Sequence, residues 1–596
     1  GALGATTTGG KNTAVGYLAL ATNTTGSDNI AVGVGALYNN TTGAKNIAIG
    51  KSAATANTTG TRNITIGWEA YNNSDTENDN IAIGYNAMTT DTAGGTANVA
   101  LGNYALDALT SGDLNVAVGY DALSTTSTGV NNVAVGSYAL TANTTGASNN
   151  AVGYNALGAN TTGTENTAMG HRAAQTNITT AGQTAIGFEA LKSNVGNYNT
   201  AVGVRAQQIA GGAGNNTAIG YEALTANDGG ASNVAVGMNA LKTNTTAADN
   251  VAVGYQAMRL NTTGTKCTAL GKNALESNTT PANNTAIGYN AMNLNTTGAN
   301  NTALGSFAME NNTTGTRNLA IGYAAYDASD TENDNIAIGY NAMTANTAGG
   351  TLNTAVGNYS LDALTSGDSN TGVGYAALGA NTEGGSNTAV GSGAGFHVST
   401  GGHNTFVGLY AGAAANGVST GSQNTMVGAN TSPNANNMVG GIVLGYNVAG
   451  QEDYHFTFGN GGTHRVYNAF NSNASWTRSS DERKKTNIAD STLGLDFINE
   501  LRPVTFNWKD SRDTPKTFIS YNADKNEMDT DITMHGMLAQ DVKAALDKAG
   551  VDTFGGWAEE KDGSQSISQE MFVHPIIKAI QELSAEVKEL KAKLKD

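Results

Sequence analysis

From Gly1 to about Gly445 the apolar and polar positions obey one rule that returns every 17 residues. The pattern is Asn-Thr-Ala-Val-Gly-Tyr-x-Ala-Leu-x-x-Asn-Thr-Thr-Gly-x-x. Its fifth-slot glycine falls at Gly16, Gly33, Gly50, Gly67 and Gly84 and runs on through 25 copies to Gly428. A fixed period of this length marks a repeat array. Slots two and four (Ile30 and Val32, Val116 and Val118) flank a small Ala, a period of two that predicts a short strand. Gly follows, then a second apolar piece ending in Ala-Leu, then Asn-Thr-Thr-Gly as a turn where Gly or Asn accepts a positive φ. A 3.6-residue period is missing and the slots are β-branched, which excludes helical repeats.

One such repeat buries too little to fold alone, so the coils must stack and pair strand on strand. The first slot is Asn in all copies but two, Gln183 and Cys267, and stacking places these amides one above the next as a ladder. A rise of about 4.8 Å per coil makes a rod of roughly 120 Å. Two strands per coil, a β-roll, is the expected form, with a three-sided β-helix as the alternative. The small residues in slots three, five and eight predict a face of close backbone approach, read as the surface that packs on other subunits in a homotrimer. Residues 67–123 recur nearly unchanged at 322–378, an offset of 255, so the array grew by copying.

Beyond the array the pattern changes twice. Residues 429–479 lose the period; Asp453–Phe458 and Arg465–Tyr467 alternate like short hairpin strands around a Gly-rich turn, which suits the terminal cap that an array requires. Its exposed aromatic and imidazole side chains, Tyr454, His455, Tyr467 and Trp476, are candidates for contact with a receptor. Residues 480–596 then read as an α/β unit: a helix near 492–501 stopped before Pro503, a strand at 504–508, and a helix that ends at Gly550. A last helix over 575–596 carries Ile576, Ile580, Leu583, Val587, Leu590 and Leu594. That 4-3-4-3-4 spacing is a coiled-coil seam. Its a and d residues taken alone favour a dimer, but the seam is short and the array decides for a trimer.

Charge sharpens this boundary. Of the 117 residues from Ser480 onward 38 are charged, against 39 of the 479 before it. The step falls in Arg478-Ser479-Ser480-Asp481-Glu482-Arg483-Lys484-Lys485, which puts a hydroxyl nucleophile candidate, Ser480, at the junction. A net charge of −17 argues against nucleic acid as a partner. A single cysteine, Cys267, excludes a disulfide framework, and no apolar run is long enough for membrane insertion. The chain starts in mid-repeat, which predicts further residues upstream. No cofactor is implied. The acidic stretches 74–79 and 329–334 lack the Gly and distal Glu of a calcium loop, and His397 and His403 read as surface histidines, so no metal is expected. The slot-six aromatic stripe (Tyr17, Trp68, Tyr85, Tyr120) reads as structural rather than sugar-stacking.

Two resemblances add to this reading. Asn-Thr-Ala-Val-Gly and Asn-Ile-Ala-Ile-Gly are similar to the repeat of trimeric autotransporter adhesin heads, which are β-rolls with a slightly shorter period. The C-terminal block resembles the self-cleaving intramolecular chaperone domain of endosialidase tailspikes and phage tail fibres. The matching residues are Ser480-Asp481-Glu482-Arg483, Lys485, Asn487-Ile488, Arg502-Pro503 with Trp508, Gly536, Ala539-Gln540 and Ile577–Leu583; Lys484 departs, standing where the family usually has Leu. The resemblance implies cleavage between Ser479 and Ser480, with Ser480 attacking the Ser479 carbonyl, Lys485 (or Lys484) as base, and Asp481, Arg483 and Asn487 in support. A lysine with the usual pKa of about 10.4 is protonated at neutral pH, so burial or the neighbouring Arg483 and Lys484 are expected to lower it. The function implied is a homotrimeric virion tail fibre or appendage that binds a host cell-surface glycan or protein receptor and joins an upstream virion attachment part. The alternative is a bacterial or other extracellular trimeric surface adhesin or filament that uses the same chaperone.

Overall fold

The structure, a computed structural model, describes residues 1–90, 94–346, 349–413, 417–461, 464–469, 480–526, 528 and 530–595. The chain divides into two compact units, Gly1–Arg478 and Ser479–Asp596.

In the first unit each repeat is one coil of a parallel β-solenoid. Slots two to four form a three-residue strand, as at Ile30–Val32 and Ile47–Ile49. Each strand pairs in parallel with the next at zero offset: Ile30 faces Ile47, Ala31 faces Ala48 and Val32 faces Ile49. Repetition gives a 28-stranded sheet. The rest of the coil supplies the crossover that parallel strands require.

The second apolar piece, expected as a strand, is instead a run of turns. Its slots seven and nine sit in the left-handed region (Leu18 at φ 61°, Leu20 at 51°, Leu37 at 49°), so the backbone reverses too often to extend. Left-handed leucines cost about 1–2 kcal/mol each. The offset comes from the coil-to-coil ladder, which continues where no strand exists: the Leu20 N–H donates to Ala36 O and the Leu37 N–H to Ala53 O, both at 3.0 Å. A short second pairing forms at Ser193–Asn194 with Ile209–Ala210.

The expectation for the small slots is also corrected. Slot-three Ala31 and slot-eight Ala36 are fully buried beside slot-nine Leu37, so they line the inside of the coil rather than a subunit surface. Slot three is alanine in most coils, and the larger Phe406 fits only where Gly395 and Gly412 leave room for its ring; strand alternation then turns slots two and four outward. Val15, Ile49, Leu101, Val135 and Met169 are accordingly 37–58% exposed. Slot five packs against its counterpart in the next coil. Gly136 has φ 131°, and a Cβ there would lie 2.6 Å from the Gly153 carbonyl oxygen, which reserves the slot for glycine.

Two amide ladders run up the interior. In slot one, the Asn46 N–H donates to Asn29 Oδ1 at 2.9 Å and its side-chain amide to Gly60 O at 2.8 Å. In slot twelve, the Asn40 amide donates to Asn23 Oδ1 at 2.8 Å and to Gly43 O at 3.0 Å. Cys267 keeps the slot-one backbone bond, donating its N–H to Asn250 Oδ1 at 2.9 Å, and burial pushes its thiol pKa up.

The array ends in a hairpin. Strand β1 (Ile442–Tyr446) continues the parallel stack onto β2 (His455–Asn460), and β3 (His464–Ala469) then pairs antiparallel with β2. The reversal closes the parallel edge.

The second unit packs α1 (Leu495–Glu500), β4 (Val504–Phe506), β5 (Met534–Gly536), α2 (Ala539–Lys548), β6 (Trp557–Glu559), β7 (Gln565–Ile567) and α3 (Val573–Lys593). Strands β4 and β5 pair, as do β6 and β7, both antiparallel. Phe497, Val542, Leu546 and Phe572 form the core, with the Phe497, Phe554 and Phe572 ring centroids 5.3–6.4 Å apart. Along α3 the seam residues Ile576, Ile580, Leu583, Val587 and Leu590 remain 40–60% exposed in the single chain. No helix among the described residues is long and apolar enough to cross a membrane.

Candidate functional site

The first described residues of the second unit form a tight turn. Asp481 caps a single 3-10 turn, Glu482–Lys484, by accepting the Arg483 N–H at 2.9 Å. Its carboxylate also takes the Arg483 guanidinium, with Nη2 at 2.6 Å. The Arg483 side chain, then its backbone N–H, hold the Asp481 pKa below the usual carboxylate range. An aspartate that both caps and chelates its own turn fixes the chain direction on either side.

That direction brings Ser480 and Lys485 together. The turn folds the chain back so that Lys485 Nζ lies 2.7 Å from Ser480 Oγ, the reach expected between a nucleophile and its base. Lys485 itself closes the turn, its N–H donating to Glu482 O at 2.9 Å. Chemically, an unprotonated Lys485 amine at this distance can take the Ser480 proton and leave an alkoxide to attack a neighbouring carbonyl. Burial, one of the two expected means of tuning such a lysine, is missing in the single chain, where Ser480 and Lys485 are both exposed.

The other expected residues distribute as follows. Asn487 adopts φ 55° and redirects the chain after the turn; no hydrogen bond links it to Ser480 or Lys485 among the described residues. Ser479, with the carbonyl to be attacked, and Trp476 lie outside the described residues. At the array's end, Tyr454 sits at φ 57° with its ring against the Gly440 backbone. His455 and Tyr467 face each other across β2 and β3 at 6.1 Å. A cavity of about 590 Å³ opens beside them, lined by Asn434, Asn437, Asp453 and His455 among others. In the acidic stretches Glu77 Oε2 accepts the Asp75 and Thr76 N–H groups at 2.8 and 2.9 Å, while Asp79 pairs with Arg62; these carboxylates serve the turn.

Sequence reading did not anticipate two contacts that hold the second unit together. Glu582 on α3 accepts the Leu495 N–H at 2.7 Å and so caps α1, and Arg502 pairs with Asp541 at 2.8 Å. Both join residues far apart in the chain, and no local pattern announces them.

Residues 480–551 match the Peptidase S74 family, the chaperone of endosialidase. The matched segment begins at the proposed nucleophile and runs through α2. No curated protein and no solved structure matches the chain. The chain thus carries a C-terminal endosialidase-type chaperone domain, which implies an autoproteolytic chaperone, preceded by a long β-solenoid.

Proposed function

We propose that the chain is a homotrimeric tail or appendage fibre of a virion that attaches to a host cell surface. Its C-terminal unit registers three chains and then detaches by cutting between Ser479 and Ser480. Intramolecular chaperones of this family are typical of phage tail fibres. The observation that carries the reading is the 2.7 Å approach of Lys485 Nζ to Ser480 Oγ at the first residue of the matched segment.

Two exposed apolar surfaces support assembly into trimers. One is the outward slot-four stripe of the sheet, Val, Ile, Leu or Met in every copy; the other is the α3 seam. Contiguous apolar stripes of this length are unusual on a monomer and mark contact with other chains. A register role for the C-terminal unit follows from the array. Coils are near-identical, so a slip of one repeat between chains changes few contacts, and a clamp outside the repeats is needed to specify alignment. Removing the clamp afterwards leaves the fibre held by its unfolding barrier.

Intact-mass spectrometry of the wild-type chain beside Ser480→Ala tests the cleavage. The wild type should release a fragment of 117 residues, 480–596, and the variant should retain it. Equal masses for both, in assembled trimers, would remove the protease role.

A further inference from the structure

Along the outside of the solenoid, aromatic rings from slots six and seven stack from one coil to the next. One run goes from Trp68 to Phe188 and another from Tyr289 to Tyr375, with neighbouring centroids 5.2–6.3 Å apart. The 255-residue duplication relates parts of these runs: Tyr359 corresponds to Tyr104 and Tyr375 to Tyr120. Past that point the copies diverge. In the first, Tyr138 fills the next rung, 5.5 Å from Tyr120 and 5.8 Å from Tyr154. In the second, Gly393 stands at the equivalent position.

The missing rung is a shaped cavity. It has a volume of about 450 Å³ and is lined by Tyr359, Asp362, Tyr375, Phe396 and Tyr410 around Gly379 and Gly393, within the range of small-molecule sites. The glycines are required by the rings: a Cβ on Gly393 would meet the Tyr410 ring at 2.4 Å, and one on Gly379 would meet Phe396 at 3.1 Å. Serine and threonine replace Gly379 and Phe396 in the first copy, as Ser124 and Thr141, so the aromatic lining is particular to this site. Tyr375 and Tyr410 present their rings to solvent at 57% and 47% exposure. At the rim, the Thr344 hydroxyl donates to Asp362 Oδ1 at 2.6 Å and holds the carboxylate in place.

We propose that this pocket binds one neutral pyranose ring of a surface glycan. Aromatic rings offer an apolar platform to the C–H face of a sugar, and a fixed carboxylate accepts hydroxyl donors at its edge. An apolar side chain from a second copy would bring no donor to that carboxylate beyond the Thr344 hydroxyl. Asp362 in a chain of net charge −17 selects against acidic sugars. The assignment rests on the rod being the host-binding part of the molecule and adds where and what it binds.

Saturation-transfer NMR on the full chain tests the pocket, with lactose, N,N′-diacetylchitobiose and methyl α-mannoside as neutral probes and 3′-sialyllactose as the acidic one. At least one neutral probe should receive saturation on its ring protons, and sialyllactose should not. Gly393→Tyr combined with Tyr410→Asn restores the rung as the first copy has it, with Tyr138 and Asn155 at these two positions; it should fold, because Tyr138 holds φ 61° where Gly393 holds 63° and the ring that a Cβ on Gly393 would meet is gone, and it should weaken binding at least about tenfold. If that variant fails to fold, Tyr375→Ala, which removes an exposed ring, decides by the same criterion. Transfer to no neutral probe, equal transfer in the variant, equal binding of sialyllactose, or a change of subunit number instead of sugar affinity in the double variant would each overturn the assignment. Purified chain and free sugar involve neither cells nor cleavage. Host binding without neutral-sugar binding therefore defeats the pocket alone, and sugar binding without host binding defeats the attachment role alone.

Discussion

At the scale of single residues, the solenoid relies on amides that neighbouring coils complete. Asn132 accepts the Asn149 N–H at 3.0 Å and donates to Gly146 O at 2.9 Å, all in the dry interior. Asn132→Ala therefore strands a buried donor and a buried acceptor, and should cost about 1–3 kcal/mol, read as a lower midpoint in guanidinium unfolding. An unchanged midpoint would mean the ladder contributes nothing net. The same scale governs the dyad. Lys485, whose Nζ reaches Ser480, is the proposed base, so Lys485→Ala should slow fragment release by about 10²-fold or more. Lys484→Ala should alter it by less than about threefold; a reversed ranking on a time-resolved gel would assign the base to Lys484. The Ser-x4-Lys spacing was legible in the sequence. The turn that closes the distance depends on Asp481 acting at once as cap and as Arg483 partner, and spacing alone does not decide that.

At the scale of one element, a coil shows why an outward β-branched face coexists with an alanine interior. The period of two was plain in the sequence, but it has two phases. The branched residues are the larger, and a core ordinarily takes the larger side chains, yet here slot nine (Leu37 and its equivalents) fills the interior and leaves slot three to Ala31 and its mostly small equivalents. Turn conformation was also hidden, since leucine is a poor signal for a left-handed φ and only the coil-to-coil ladder makes it tolerable. One coil carries a titratable group in the wrong place. Burial first, then the Glu310 carboxylate, push Asp327 up to about 6, and its Oδ1 is buried with no hydrogen-bond partner among the described residues. A raised carboxylate pKa favours the protonated folded state, so the penalty is absent below the ordinary value of 3.8, grows as pH climbs toward about 6, and is complete above it. The duplicated coil has Asn72 at this position. Asp327→Asn should raise the thermal midpoint at pH 7 and leave it unchanged near pH 3; a gain of equal size at both values would place the effect outside the titration.

At the scale of the whole molecule, two units of opposite character share one chain. The array is held by identical steps, which makes it extensible and also leaves alignment between chains underdetermined. The C-terminal unit is the reverse, a small core of unlike contacts such as Glu582 on Leu495 and Arg502 on Asp541, with no second register of comparable energy. Chains ending at Arg478 should therefore form few correct trimers, seen by light scattering after size exclusion as a spread of masses. A single trimeric species from such chains would overturn the registering role.

The 17-residue period, the stacked coils, the asparagine ladder and the composition step at Ser480 were determined by the sequence alone, because each is a repeating or compositional signal that survives without coordinates. Which phase of the strand faces inward, how the second half of the coil turns, and where a ring is missing from the aromatic ladder were decided only by the tertiary structure. These depend on the space left between neighbouring coils. That space is set by residues one period away in the chain, and no window read along a single repeat contains it.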